Sequence, residues 1–187
     1  WNEAVIARTI AAAIPNETAL FVSSSRPIRD LEGFAVPRSG LAVYANRGLA
    51  GIDGNISTAL GIAYAHKATI ALLGDLSFLH DLTGLVNKEA INCRFIVINN
   101  DGGGIFSTLP QRGVNGFETV FGTPHGINPA AIAKAMGFDA KQITSLKELE
   151  AEIKAPISGI SVVVCDVPGR ESNADNLKSI YEALSSI

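Results

Sequence analysis

Apolar residues along this chain fall into short continuous runs separated by longer stretches of helical period. The runs at 19–22 (ALFV), 41–44 (LAVY), 70–73 (IALL), 95–98 (FIVI) and 160–165 (ISVVVC) are apolar with little alternation, the pattern of strands covered on both faces. A briefer strand is expected at 140–143. Between them, 3–14 keeps a helical period until Pro15-Asn16 ends it, and 56–66 and 174–184 read the same way. Asn128 opens a helix over 129–136 with Pro129 in its first turn, and Ser145 with Glu148 forms a capping box for a charged helix through 153. One amphipathic helix, with Glu89 on it, is expected to join the strands at 70–73 and 95–98. Residues 23–30 read as a polar loop, and 110–128 as an irregular stretch long enough to be a functional loop or lid. The alternation predicts one domain of α/β class, a three-layer doubly wound sheet of about six parallel strands.

The polar positions gather at the ends of these runs. Gly74-Asp75-Leu76-Ser77 follows one strand and Asn99-Asn100-Asp101-Gly102-Gly103-Gly104 follows the next, so both open on the same edge of the sheet, where doubly wound folds bind ligands. Asp75, Asn100 and a backbone carbonyl of the glycine run offer hard oxygen ligands suited to Mg2+ with a phosphate group. The plainer alternatives are a turn with a helix cap and a flexible glycine loop. Two further loops, 25–29 and 46–54, are placed on the same edge, the second leading into a helix whose amino end can face an anion. Neither G-x-G-x-x-G nor G-x-x-x-x-G-K-[ST] occurs, which disfavours a plain dinucleotide or P-loop site.

Composition narrows the remaining classes. The 187 residues, 47% hydrophobic, suffice for one well-buried domain. Fifteen basic against eighteen acidic residues give a net charge of -3, and with no basic run a nucleic-acid surface has no electrostatic support. Cys93 and Cys165 lie in apolar runs as free buried thiols without metal-type spacing, consistent with a reducing, cytoplasmic setting. No stretch reads as a signal peptide or a membrane span. The sequence begins at Trp1 without an initiator Met, and it is expected to be a piece of a longer polypeptide.

Taken together, Gly74-Asp75 followed by Asn99-Asn100, with Asp75 and Asn100 25 positions apart, resembles the thiamine diphosphate-binding motif. Ser25-x-x-x-Arg29, Asn46-Arg47-Gly48-x-x-Gly51-Ile52-Asp53-Gly54, Gly74-Asp75-Leu76-Ser77 and Asn99-Asn100-x-Gly102-Gly103-x-Ile105-Phe106-Ser107 are similar to the 2-succinyl-5-enolpyruvyl-6-hydroxy-3-cyclohexene-1-carboxylate synthases of menaquinone biosynthesis, over their carboxyl-terminal diphosphate-binding domain. Leu76, where many thiamine enzymes have a second glycine, agrees with that group, whereas Asp101 departs from the general pattern. The resemblance implies that Asp75, Asn100 and the Gly102 carbonyl hold Mg2+ or Mn2+ against the diphosphate. It implies that Gly51, Leu76, Ser77, Gly103 and Ile105 contact the cofactor and that Ile52 props thiamine in its bent form. Ser25, Arg29 and Arg47 are implied on the carboxylates of isochorismate and 2-oxoglutarate, with Ile105, Phe106 and Leu109 as an apolar wall. Arg26 reads as a surface charge, and His125 has no assignment.

The same resemblance places the activating glutamate in a separate pyrimidine-binding domain, of the same or a partner subunit, in a homodimer or homotetramer. No glutamate here matches its motif, so the chain alone is expected to be inactive. Another thiamine enzyme, of acetolactate synthase or 2-oxoacid decarboxylase type, and a non-catalytic binding module are the competing readings.

Overall fold

The computed structural model describes residues 1–86 and 90–186. Six parallel strands, β1 (Thr18–Val22), β2 (Val43–Tyr44), β3 (Ala68–Gly74), β4 (Cys93–Asn99), β5 (Asp139–Ile143) and β6 (Ile160–Asp166), form one sheet in the order β2-β1-β3-β4-β6-β5. The helices are α1 (Glu3–Ala13), α2 (Arg26–Phe34), α3 (Asn55–Ala65), α4 (Asp75–His80), α5 (Pro129–Ala135), α6 (Leu146–Lys154) and α7 (Arg170–Ser185).

Successive strand residues face opposite sides, so each continuous apolar run fills two cores at once. Phe21, Ala71, Leu73, Phe95, Val97, Val162 and Val164 pack with α3, α4 and α5 on one face. Leu20, Val22, Ile70, Leu72, Ile96, Ile98 and Val163 pack with α1 and α6 on the other. This is the three-layer arrangement expected from the strand pattern. Cys93 and Cys165 are free and buried within it, and burial pushes the Cys93 thiol up to about 12. Among the described residues, no helix is long and apolar enough to cross a membrane.

The strand order reverses direction between β1 and β3 and again between β4 and β6. Reversal sends neighbouring connections to opposite faces, leaving a crevice at the carboxyl ends of the strands. The segments after β1, β3 and β4 therefore meet there.

Three local expectations are corrected. Residues 26–30 are the first turns of α2 and not loop: Pro27, whose fixed φ suits a helix start, stands in its first turn, and the serines before it end with Ser25 as the N-cap. The single amphipathic helix between β3 and β4 is instead the short α4 followed by a 3₁₀ turn at Leu82–Leu85; Glu89 lies outside the described residues. The stretch at 110–128 contains a π-helical turn, Glu118–Gly122, packed on the glycine run after β4.

Candidate functional site

Asp75 is the first residue of α4 and is 2% exposed. Its position directly after β3 aims the carboxylate across to the β4 end. Oδ1 accepts from its neighbour's Leu76 N–H at 2.7 Å, while Oδ2 accepts from Gly102 N–H at 2.9 Å and Asn100 N–H at 3.2 Å. Burial pushes the Asp75 carboxyl above its ordinary range, and the donors from Gly102, His125 and Leu76 pull the other way.

Asn100 is buried beside it, and its amide is used at one end alone. Nδ2 donates to Glu3 Oε1 at 2.6 Å, whereas Oδ1 is buried without a hydrogen-bond partner. An orphaned buried acceptor next to a carboxylate is a cost in an apolar core and an asset to a cation. Among the described residues no three His, Cys, Asp or Glu side chains converge as a metal set. The oxygens present, from Asp75, Asn100 and backbone, fit a hard divalent ion that completes its shell with ligand phosphate.

These groups line a cavity of about 250 Å3 that also touches Ser25, Ile52, Leu76, Ser77, Gly103, Ile105 and Phe106. That is below the roughly 300–1,000 Å3 of a complete small-molecule pocket, as expected if a second surface closes it. Ile52 stands 41% exposed at its mouth. Its carbonyl accepts from Ser77 Oγ at 3.2 Å, and Asn55 Nδ2 ties the loop down through Ser77 Oγ at 2.8 Å and the Gly51 carbonyl at 3.1 Å. Ser25 has φ +73, a left-handed backbone that costs a non-glycine residue about 1–3 kcal/mol and persists where the surroundings hold it.

Other expected site residues stand apart from the cavity. Arg29 is exposed and donates to the Ser25 carbonyl at 2.7 Å, and Arg47 is exposed in the 46–54 loop. Leu109 lies in a separate, larger groove with Arg112 and α7. Gly51 is half-buried next to Ile52. The α3 amino end carries a protein partner already, since Ser57 N–H donates to Asp81 Oδ2 at 3.0 Å.

The structure also recruits residues that the sequence left aside. His125 Nδ1 accepts from Ile127 N–H at 3.0 Å, which leaves Nε2–H to donate to Asp75 Oδ2 at 3.2 Å. Asp101 turns away from the crevice with φ +64 and accepts from His125 and Gly126 N–H at 3.0 and 2.8 Å, so it braces the 123–127 segment. The Gly126 and His125 amides hold the Asp101 carboxyl below its usual range against slight burial. Nothing local in the sequence marks His125, because its partner lies 50 positions away.

Arg26 is corrected from a surface charge to a largely buried one, 13% exposed, ion-paired with Asp30 and 3.7 Å from Glu3. Its four-residue spacing to Asp30 was the available signal. Burial pushes Asp30 up to about 7, with Arg26 opposing and Glu3 adding to the rise. Burial likewise raises the Glu3 carboxyl. The folded chain therefore holds the Asp30 proton more tightly than the unfolded one does, near 3.9 in the latter. The resulting stabilisation is complete below about pH 4 and is lost as pH rises to 7. Urea unfolding should show stability falling between pH 4 and 7, by at most about 4 kcal/mol at about 1.4 kcal/mol per pKa unit, and Asp30→Asn should flatten the slope. An unchanged slope in that variant contradicts the assignment.

Comparison with known proteins shows the family. Residues 32–167 match the family described as thiamine pyrophosphate enzyme, C-terminal TPP binding domain. The chain is 48% identical over 144 residues to the 2-succinyl-5-enolpyruvyl-6-hydroxy-3-cyclohexene-1-carboxylate synthase of Thermobifida fusca (strain YX), covering 73% of this chain and 26% of that protein. It is 42% identical over 171 residues to the enzyme of the same name from Staphylococcus aureus (strain JH9), covering 89% and 30%. The chain thus spans less than a third of the length of these curated relatives. The crystal structure of benzoylformate decarboxylase from Polynucleobacter necessarius superposes with a TM-score of 0.70 at 18% identity, over 88% of this chain and 33% of that one, a likeness of fold. Since the matched segment carries both strand ends that bear Asp75 and Asn100, the chain belongs to the thiamine pyrophosphate enzyme family, as its C-terminal TPP-binding domain.

Proposed function

We propose that this chain is the thiamine diphosphate- and Mg2+-binding domain of a 2-succinyl-5-enolpyruvyl-6-hydroxy-3-cyclohexene-1-carboxylate synthase, which decarboxylates 2-oxoglutarate and adds the product to isochorismate. The observation that carries the proposal is the buried pair of Asp75 and the free Asn100 Oδ1 beside the glycine run, within a chain up to 48% identical to enzymes of that name. Asp75, Asn100 and the Gly102 carbonyl hold Mg2+ or Mn2+, with Ser77 and Gly103 on the cofactor side of the crevice. Thiamine diphosphate supplies the electron sink for decarboxylation.

The remaining roles belong to the chain's own groups. Ile52 at the cavity mouth props the cofactor, and Ile105 and Phe106 exclude water from the reacting side. Ser25, Arg29 and Arg47 engage substrate carboxylates, to which planar guanidinium forks are matched. The exposed positions of Arg29, Arg47 and Ile52 fit a site completed by a pyrimidine-binding domain, which contributes the activating glutamate. A cytoplasmic homo-oligomer is the corresponding assembly.

Isothermal titration tests this reading. Thiamine diphosphate should bind the 187-residue chain only with Mg2+ or Mn2+ present, and the chain should show no synthase turnover. Tight binding without metal removes the metal roles of Asp75 and Asn100, and robust turnover removes the need for a second domain.

A further inference from the structure

Glu3 stands in the first turn of α1, 97 positions before the residue it touches. Its carboxylate is 5% exposed and borders the cavity. Oε1 accepts from Asn100 Nδ2 at 2.6 Å, and Arg26 Nε lies 3.7 Å from Oε2. An asparagine amide has a donor end and an acceptor end, and the Glu3 oxygen that meets it is an acceptor. Turning the amide over would set Asn100 Oδ1 against Glu3 Oε1, oxygen on oxygen, in a buried place. The orientation observed is therefore the one Glu3 permits, and it is the one that leaves Oδ1 unpartnered.

We infer that Glu3 is a positioning residue: it holds the Asn100 amide so that Oδ1 faces the metal position beside Asp75, with Arg26 fixing the carboxylate from behind. The inference rests on the metal reading above. Glu3 reaches Asn100 and does not itself serve as a ligand. Groups that orient a metal ligand in this way are generally worth about 10- to 100-fold in metal affinity.

Two variants test the acceptor and its reach. Glu3→Gln keeps the side-chain length but adds an amide donor that lets Asn100 turn over, whereas Glu3→Asp keeps a carboxylate and withdraws the oxygen by one methylene. The readout is the Mn2+ concentration that half-saturates the chain at saturating thiamine diphosphate, by equilibrium dialysis, with thermal unfolding as the check on folding. Both variants should weaken binding, each by about 10-fold or more. Wild-type affinity in either variant overturns the inference while leaving the metal site standing. No Mn2+ uptake by the wild-type chain overturns the metal reading and this inference with it. Proton exchange of the Asn100 side-chain amide in the wild-type chain, read by NMR, should be slow. Exchange as fast as in free asparagine overturns the inference even if neither variant folds.

Discussion

Replacing Asp75 with alanine is expected to weaken metal-dependent thiamine diphosphate binding by more than about 100-fold and to destabilise the metal-free chain by about 3 kcal/mol. The two effects share one cause. The carboxylate accepts from Leu76, Asn100 and Gly102 N–H and from His125 Nε2, so its loss leaves several buried donors without their acceptor. An unsatisfied buried donor costs about 1–3 kcal/mol, and partial relaxation keeps the total near the upper end of a single loss. Urea unfolding without metal isolates the structural share, and isothermal titration with Mg2+ reads the binding share. Stability within about 0.5 kcal/mol of wild type would show that the carboxylate does not organise the β3 and β4 ends.

Gly103→Ala is expected to cost about 2–4 kcal/mol and to loosen the 117–126 segment in hydrogen exchange. A Cβ at Gly103 would lie 2.1 Å from the Phe121 carbonyl oxygen and 2.9 Å from the Phe106 ring. Neither neighbour is free to move: Gly103 N–H donates to the Gly122 carbonyl at 2.7 Å, and the Phe106 and Phe121 rings pack 5.3 Å apart. Relief of the clash must push the π-helical turn off the glycine run, and that turn leads to His125. Gly61→Ala provides the contrast, because nothing lies within 4 Å of its Cβ position in α3. There the smaller helical penalty of alanine should add about 0.5–1 kcal/mol of stability. Equal destabilisation by both substitutions would remove the steric explanation.

The parts of this protein that were legible in its sequence are those whose cause is local or periodic. β1, β3, β4 and β6 stood out because a strand covered on both faces must be apolar at nearly every position. β2 is shorter than the apolar run at 41–44 implies, since at the edge of the sheet only Val43 and Tyr44 pair with β1 and both stay exposed. The start of α2 was hidden by three serines and a proline, which read equally well as turn chemistry. The amphipathic pattern after β3 overstated what forms there, because α4 ends at His80.

The same division runs through the crevice. Asp75 and Asn100 could be found from sequence because each follows a strand, and strand ends on one edge must converge whatever the rest of the chain does. Charge, composition and the order of the glycine motifs were equally independent of folding. Only the tertiary structure decided which groups hold those two in place. Glu3, Asp101 and His125 have no local mark of their role, and Arg26 shows only its spacing to Asp30, because each acts through hydrogen bonds or ion pairs that depend on how α1, α2 and the 123–127 segment pack over the sheet. Hydrophobic periodicity is written residue by residue, whereas the pairing of a buried polar atom is set by what arrives beside it.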